Sequence, residues 1–376
     1  MKKHNSKILI LSFALLGVFS SLFMSSCDGV IFSDIRKDVE LADAKISGDI
    51  QSIIRYTYNG KEHIFVSNGE IYHRSVETSV VDSKIDWQTF SNPTGFIYAL
   101  AADSSYLYAA SVVIDEDDDG KNVGKTRGLY CYKDGSWEKI WSASYSSTDA
   151  RLFCTNTPQS ANREAYFRYG TSVWKLDGTK ALTTDSTDTD NNTPMTTGDN
   201  DNTTTPTTGV NSCTKLGSTT YFSTAEAMTS NETKKESNTN PESTMIYRSS
   251  GSSVYYSTDG KNWTSVDLDC GTIQSIAVTT NYIIVGTSEG IAHQTWATTA
   301  SPTGGIPNSG NTSFSTNATS TLSSYYKIQA LLVVDPYQAE YSATIFASSN
   351  TSSTSASLKN VGLWSYFATT GEWNRE

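Results

Sequence analysis

Residues 128–141 read GLYCYKDGSWEKIW, two runs of alternating apolar and polar residues on either side of the pair Asp134-Gly135. Alternation with a period of two is typical of a strand with one buried face. Asp-Gly is a preferred two-residue hairpin turn, because glycine adopts positive φ at little cost. The segment therefore predicts an antiparallel hairpin whose second strand carries Trp137.

The same organisation recurs along the chain about every fifty residues. Each unit has three alternating strands and a polar turn that leads into a fourth strand, which often carries tryptophan. Six such units begin at the following positions: Ile50, Phe96, Arg151, Val210, Thr272 and Tyr326. The pattern predicts an all-β fold, a β-propeller of about six four-stranded blades, with five or seven blades as alternatives. A pair of β-sandwiches or an irregular solenoid is the competing architecture.

The N-terminus has the layout of an export signal. Lys2, Lys3 and Lys7 precede an apolar stretch from Ile8 to Met24, and Ser25, Ser26 and Cys27 follow it. The cysteine after Met-Ser-Ser resembles a bacterial lipobox, with Met24 where leucine is usual, and it is similar to the relaxed lipoboxes of spirochaete lipoproteins. The resemblance implies cleavage before Cys27 and lipidation of that residue, for example with palmitate. An ordinary signal peptide or an uncleaved anchor is the alternative.

Domain boundaries follow from these two signals. We expect a signal peptide at 1–26, a lipidated tether at 27–48 and a single propeller domain at 49–376. Three segments rich in Thr, Ser and Asn have no strand pattern and predict solvated, disordered loops: 183–209, 230–243 and 297–324.

Composition limits the partners. The chain has 376 residues and a net charge of −11, and removal of the three N-terminal lysines would leave 25 basic residues against 39 acidic ones, or −14. An acidic chain of pI about 4.9 lacks the basic surface that nucleic acids require, so nucleic acid is excluded as a partner. Only 4 histidines are present, which leaves little for a histidine-based metal centre. His63, His73 and His293 are far apart in sequence and are interpreted as surface or half-buried residues.

A turn in the fourth unit carries a recognisable pattern. Residues 257–263 read STDGKNW and resemble the Asp-box turn, Ser-x-Asp-x-Gly-x-x-Trp, of sialidases and other BNR-like propellers, one residue shorter here. The resemblance implies that Asp259 accepts turn amides, that Gly260 has positive φ and that Trp263 packs between adjacent blades. In sialidases this turn lies away from the catalytic face, where three arginines bind a carboxylate beside a tyrosine nucleophile. Arg55 and Arg151 are the arginines on or beside inner strands.

One acidic segment is a candidate calcium site. Residues 115–121, DEDDDGK, match the first half of a calcium loop, in which Asp115, Asp117 and Asp119 with the carbonyl of Lys121 would surround the ion. Thr126 occupies the position where a bidentate glutamate belongs. A solvated acidic hairpin is the alternative, and no other cofactor is expected.

Four cysteines follow Cys27 in the exported part: Cys131, Cys154, Cys213 and Cys270. An even number permits two disulfides. Cys154 and Cys213 occupy similar places on the innermost strands of successive units, so a disulfide between them is possible, with two buried free thiols as the alternative.

These patterns favour a non-catalytic, membrane-anchored lipoprotein of the bacterial cell envelope, held at the inner or outer membrane by its lipid. Its propeller would serve as a scaffold that binds a protein or a glycan. The alternative is an exported sialidase-like glycoside hydrolase.

Overall fold

A computed structural model describes residues 45–76, 87–116, 122–155, 162–185, 187–195, 208–234, 241–279, 282–295, 326–334, 344–351, 360–367 and 372–376. The chain divides into two units, Met1–Asp43 and Ala44–Glu376, and all described residues belong to the second. They contain 25 β-strands and no α-helix, which confirms the all-β class. Within these ranges no helix has the length and apolarity needed to cross a membrane. The predicted signal peptide and Cys27 lie outside the described residues.

The first two sheets each have four antiparallel strands in sequential order. The first contains β1 (Ser52–Tyr58), β2 (Lys61–Ser67), β3 (Ile71–Ser75) and β4 (Gln88–Thr89). The second contains β5 (Phe96–Ala102), β6 (Leu107–Glu116), β7 (Asn122–Lys133) and β8 (Ser136–Ser144). Asp134 and Gly135 join β7 to β8 with φ angles of 50° and 86°, so the predicted hairpin is confirmed.

Sheets of three, two and four strands follow. The third contains β9 (Ala150–Cys154), β10 (Ala165–Tyr169) and β11 (Ser172–Lys175), and the fourth contains β12 (Ser212–Leu216) and β13 (Thr219–Ser223). The fifth contains β14 (Met228–Lys234), β15 (Pro241–Ser250), β16 (Ser253–Ser257) and β17 (Thr264–Asp267).

The last two sheets lead to the C-terminal residues. The sixth contains β18 (Ile273–Val278), β19 (Tyr282–Thr287) and β20 (Gly290–Thr295). In the seventh, β21 (Tyr326–Lys327) and β22 (Leu331–Val333) both pair with β23 (Thr344–Thr351), and β24 (Gly362–Phe367) and β25 (Glu372–Arg375) follow.

The fourth sequence unit is divided between two sheets. Its first two predicted strands form β12 and β13, whereas its last two form β16 and β17 beside the β14–β15 hairpin. The predicted loop at 230–243 is therefore wrong for residues 230–234 and 241–243, which lie in paired strands. Ser230 and Asn231 are buried although polar, so the strand lacks the apolar alternation on which the prediction depended. The described residues form seven sheets where the sequence predicted six units.

Of the other two predicted loops, the structure describes only part of 183–209 and none of 297–324. Residues 183–185 and 187–195 form a turn closed by a parallel bridge between Leu182 and Asn192, and the amide of Thr183 donates to the Asn192 carbonyl at 3.0 Å. Asn192 is buried, so this part of the 183–209 segment has fixed contacts. Residues 297–324 lie outside the described residues.

The core is divided into layers between neighbouring sheets. One cluster of buried side chains joins sheets one and two, and others join two with three, three with four, five with six, and six with seven. A further cluster joins the first sheet to the seventh through Ile53, Val66, Leu332 and Phe346. Most successive sheets thus bury their apolar faces against each other, and the fourth and fifth sheets are in contact through β12 with β14 and β15. This is the packing of a propeller-like repeat.

Hydrogen bonds also join the first and last sheets. The buried Asn350 side chain accepts from the amide of Ile50 at 2.9 Å and donates to its carbonyl at 2.8 Å. Glu376 accepts from Arg74 Nη1 at 2.9 Å and from Trp87 Nε1 at 2.8 Å. Backbone contacts join them as well: Ser47, which precedes β1, forms an antiparallel bridge with Gly362, and the Ile46 carbonyl accepts from the Leu363 amide at 3.3 Å. The two sheets are therefore held by side-chain bridges, by packing and by the segment that leads into β1.

Candidate functional site

The two ends of the sheets present different connections. The entry end is the end of the sheets where β9, β12 and β18 begin. Because neighbouring strands alternate in direction, the β15–β16 turn also lies at this end. At the far end lie the β1–β2, β5–β6, β7–β8 and β16–β17 turns. Loops at strand ends carry binding residues in many folds, so both ends are candidate surfaces.

A polar pocket of about 430 Å³ opens at the entry end. Three segments form it: the residues after β13, the β15–β16 turn and the start of β18. The side chains that give the pocket its chemistry are hydroxyl, charged and aromatic groups, including Ser223, Thr224, Glu226, Arg248, Ser249 and Tyr255. Such a lining supplies several hydrogen-bond donors and acceptors together with one aromatic ring.

Arg248 is held by aromatic rings. Its guanidinium carbon lies 4.2 Å from the centroid of the Trp263 ring and 5.6 Å from that of Tyr255. Cation–π contact orients a planar guanidinium, whose N–H groups match a carboxylate or vicinal hydroxyls. The pocket thus contains an oriented cation.

Glu226 connects the pocket to charges at the start of β9. Arg151 Nη1 lies 3.3 Å from Glu226 Oε2, and Arg151 Nε lies 3.5 Å from Asp149 Oδ2. Arg168 also contacts Asp149, and its Nη2 donates to Asn211 Oδ1 at 3.0 Å. Burial favours the neutral form of Asp149, but bonds from Arg168 and the charge of Arg151 outweigh it and lower the pKa of Asp149. The surface beside the pocket is therefore a chain of alternating charges.

The arginines singled out in the sequence do not converge. Arg151 contacts acidic residues of its own chain, whereas Arg55 donates to the carbonyls of Val333 and Val334. Sequence reasoning missed Arg248, although its place three residues before the turn glycine Gly251 on an alternating strand was available as a signal.

The turn that resembles an Asp-box forms as the resemblance implies. Asp259 Oδ1 accepts from the amides of Lys261 at 2.8 Å and Asn262 at 2.9 Å, and Gly260 has a φ of 68°. These amides hold the pKa of Asp259 well below its usual range. Trp263 packs on Arg248 of the same sheet, and this contact differs from the expected packing between adjacent blades. Since Arg248 lines the pocket, Trp263 of this turn helps to hold a side chain of the entry-end pocket in place.

Two histidines ten residues apart in sequence meet on the paired strands β2 and β3. The Nδ1 atoms of His63 and His73 are 3.1 Å apart, and both rings pack against Tyr58 and Phe65. Burial lowers the pKa of His73 to about 4, and the neighbouring His63 adds to this effect. The register of the β2–β3 hairpin places the two residues diagonally across the strand pair. The sequence signal for this register was the Asn68-Gly69 turn between the two strands. The side chain of His293 is not among those described.

Cys154 and Cys213 lie on the contacting strands β9 and β12. Burial raises the pKa of the Cys213 thiol well above its usual range, and the nearby Cys154 contributes to the shift. Both residues are free thiols in the structure. A disulfide between them stays a prediction.

The candidate calcium ligands are not covered by the described side chains. The backbone of Asp115 pairs with Gly124 at the end of the β6–β7 hairpin, whereas Asp117, Asp119 and Lys121 lie outside the described residues. Among the residues that were searched, no group of three or more His, Cys, Asp or Glu side chains could hold a metal ion.

Strand topology and layered burial define the class: an all-β chain with a propeller-like repeat of small antiparallel sheets. No protein-family model and no curated protein matches the sequence. A similar solved structure is that of Sqt1 from Saccharomyces cerevisiae, with a TM-score of 0.38 and 9% identity over 85% of this chain and 96% of that chain.

Proposed function

We propose that the protein is an exported, lipid-anchored propeller of seven blades that binds a protein or a glycan at the entry end of its sheets. The observation that carries this proposal is the polar pocket to which three successive sheets contribute. A site assembled from several blades is a platform that loop residues can adapt without changing the scaffold. The acidic chain would be repelled by anionic headgroups, so the lipid on Cys27 would hold it at the membrane.

Binding at the entry end is tested by chemical crosslinking of the full-length protein in cells, followed by mass spectrometry of the captured partners. We expect Arg248→Gln and Glu226→Gln to reduce capture of the main partner at least ~5-fold, because each removes a charged hydrogen-bonding group that lines the pocket. Lys261→Gln, in the exposed turn at the far end, is the matched control. Near-UV circular dichroism checks that each variant is folded. Equal capture by all four proteins would refute the assignment of the pocket.

The membrane anchor is tested by metabolic labelling with a fatty acid. We expect the label to be incorporated into the wild-type protein and lost in Cys27→Ser, because the thiol is the acceptor. Label that persists in Cys27→Ser would contradict the lipoprotein assignment. Turnover of aryl glycosides that Arg248→Gln abolishes would favour the hydrolase over the non-catalytic scaffold.

A further inference from the structure

A second pocket, of about 370 Å³, lies at the far end of the first two sheets. Four tyrosines line it: Tyr56 and Tyr58 from β1, Tyr106 from the β5–β6 connection and Tyr132 from β7. None of these residues lines the entry-end pocket, so this second pocket is a separate site.

Hydrogen bonds fix the conformation of the β5–β6 connection beside this pocket. Asp103 Oδ1 accepts from the amides of Ser105 and Tyr106, each at 2.6 Å, and Tyr56 donates its hydroxyl to the Ser105 carbonyl at 3.2 Å. The loop that carries Tyr106 is therefore preorganised, and the Tyr56 hydroxyl is already used. Tyr56 therefore offers a ligand its aromatic ring and not its hydroxyl.

The walls of this tyrosine pocket are inclined to each other. The rings of Tyr58 and Tyr132 are 6.4 Å apart with an interplanar angle of 59°, and Tyr132 packs behind on Trp137 at 5.2 Å. A flat sugar ring stacks best on a single exposed face, whereas inclined rings surround a rounded group. Aromatic rings attract an organic cation through their quadrupoles, and quaternary ammonium groups are bound in this way.

Two charged residues of opposite sign lie at the opening of the tyrosine pocket. Asp134 and Lys133 both line the opening, so one group attracts a cation and the other opposes it. The net charge of −11 adds a general attraction. We propose that the tyrosine pocket binds a quaternary ammonium group, of the kind present in choline and in trimethylated amines.

The first test compares two probes on the full-length protein in a polyoxyethylene detergent. Choline and its uncharged isostere 3,3-dimethyl-1-butanol are titrated by calorimetry and by tryptophan fluorescence, which Trp137 reports. We expect choline to bind ~3–30-fold more tightly than the isostere, the range that a cation–π contribution provides. Equal binding of the two probes would overturn the proposal, as would saturable binding of methyl α-glucoside in place of choline.

Variants distinguish the contribution of an aromatic ring from that of an aliphatic side chain of similar size. Tyr132→Leu is expected to weaken choline binding ~3–30-fold, whereas Tyr132→Phe, which keeps the ring, stays within about 2-fold. Asp134→Asn is compatible with the positive φ at this position and should weaken binding, while Lys133→Gln should strengthen it. Tyr255→Leu, in the entry-end pocket, is the matched control and should leave choline binding unchanged. If Tyr132→Leu binds choline as the wild type does, the proposal fails, while the proposed function at the entry end is untouched.

Discussion

Glu164 shows at the scale of a residue how one carboxylate joins two sheets. It accepts hydrogen bonds from Tyr166 at 2.7 Å and from Lys175 at 2.6 Å in the third sheet. Thr220 and Lys215 of the fourth sheet contact the same carboxylate. Burial alone would raise the pKa of Glu164, but these bonds and charges outweigh it and lower the pKa to about 2.

The lowered pKa predicts how stability depends on pH. Since the folded-state pKa lies below the ordinary value of 4.5, Glu164 stabilises the fold fully above pH 4.5, and this contribution is lost as pH falls from 4.5 towards 2. We expect Glu164→Gln to lower the free energy of unfolding at pH 7 by roughly 2–3 kcal/mol. Urea unfolding at pH 7, 4 and 3 measures this. The difference from the wild type should shrink at low pH, and Glu138→Gln on β8 is the exposed control. A constant difference across the three pH values would contradict the role of the ionised carboxylate.

At the scale of elements, hairpin turns were predictable and sheet membership was not. The turn at Asp134 and the one at Asp259 form as expected, because their hydrogen bonds connect residues that are close in sequence. The β14–β15 hairpin was missed, since polar residues such as Asn231 occupy buried positions that alternation reserves for apolar ones. Burial of Met245 and Tyr247 against the sixth sheet compensates. Sequence periodicity reports an average of both faces of a strand and fails where one buried face is polar.

At the scale of the whole molecule, Asn350 connects the first and last sheets. We expect Asn350→Ala to lower the free energy of unfolding by about 2–4 kcal/mol, because it leaves the buried amide and carbonyl of Ile50 without their partner. Urea denaturation measures this loss, and hydrogen exchange at the Ile50 amide should become faster. Gln88→Ala on the exposed strand β4 is the control. If both variants lose the same small amount, the bridge does not hold the two sheets together.

The sequence by itself determined the all-β class, the hairpins and the hydrogen bonding of the Asp259 turn, because alternation and turn chemistry act over a few neighbouring residues. It also indicated the inner-strand place of Arg151, but not that Arg151 would bind Glu226 beside a pocket containing Arg248. Only the tertiary structure decided that β14 and β15 join β16 and β17 in a sheet separate from β12 and β13, and that tyrosines of β1, β7 and the β5–β6 connection share one pocket. The physical reason is that sheets bury their faces on neighbours that are distant in sequence. Such contacts depend on the complementary surfaces of whole sheets, which no local pattern contains.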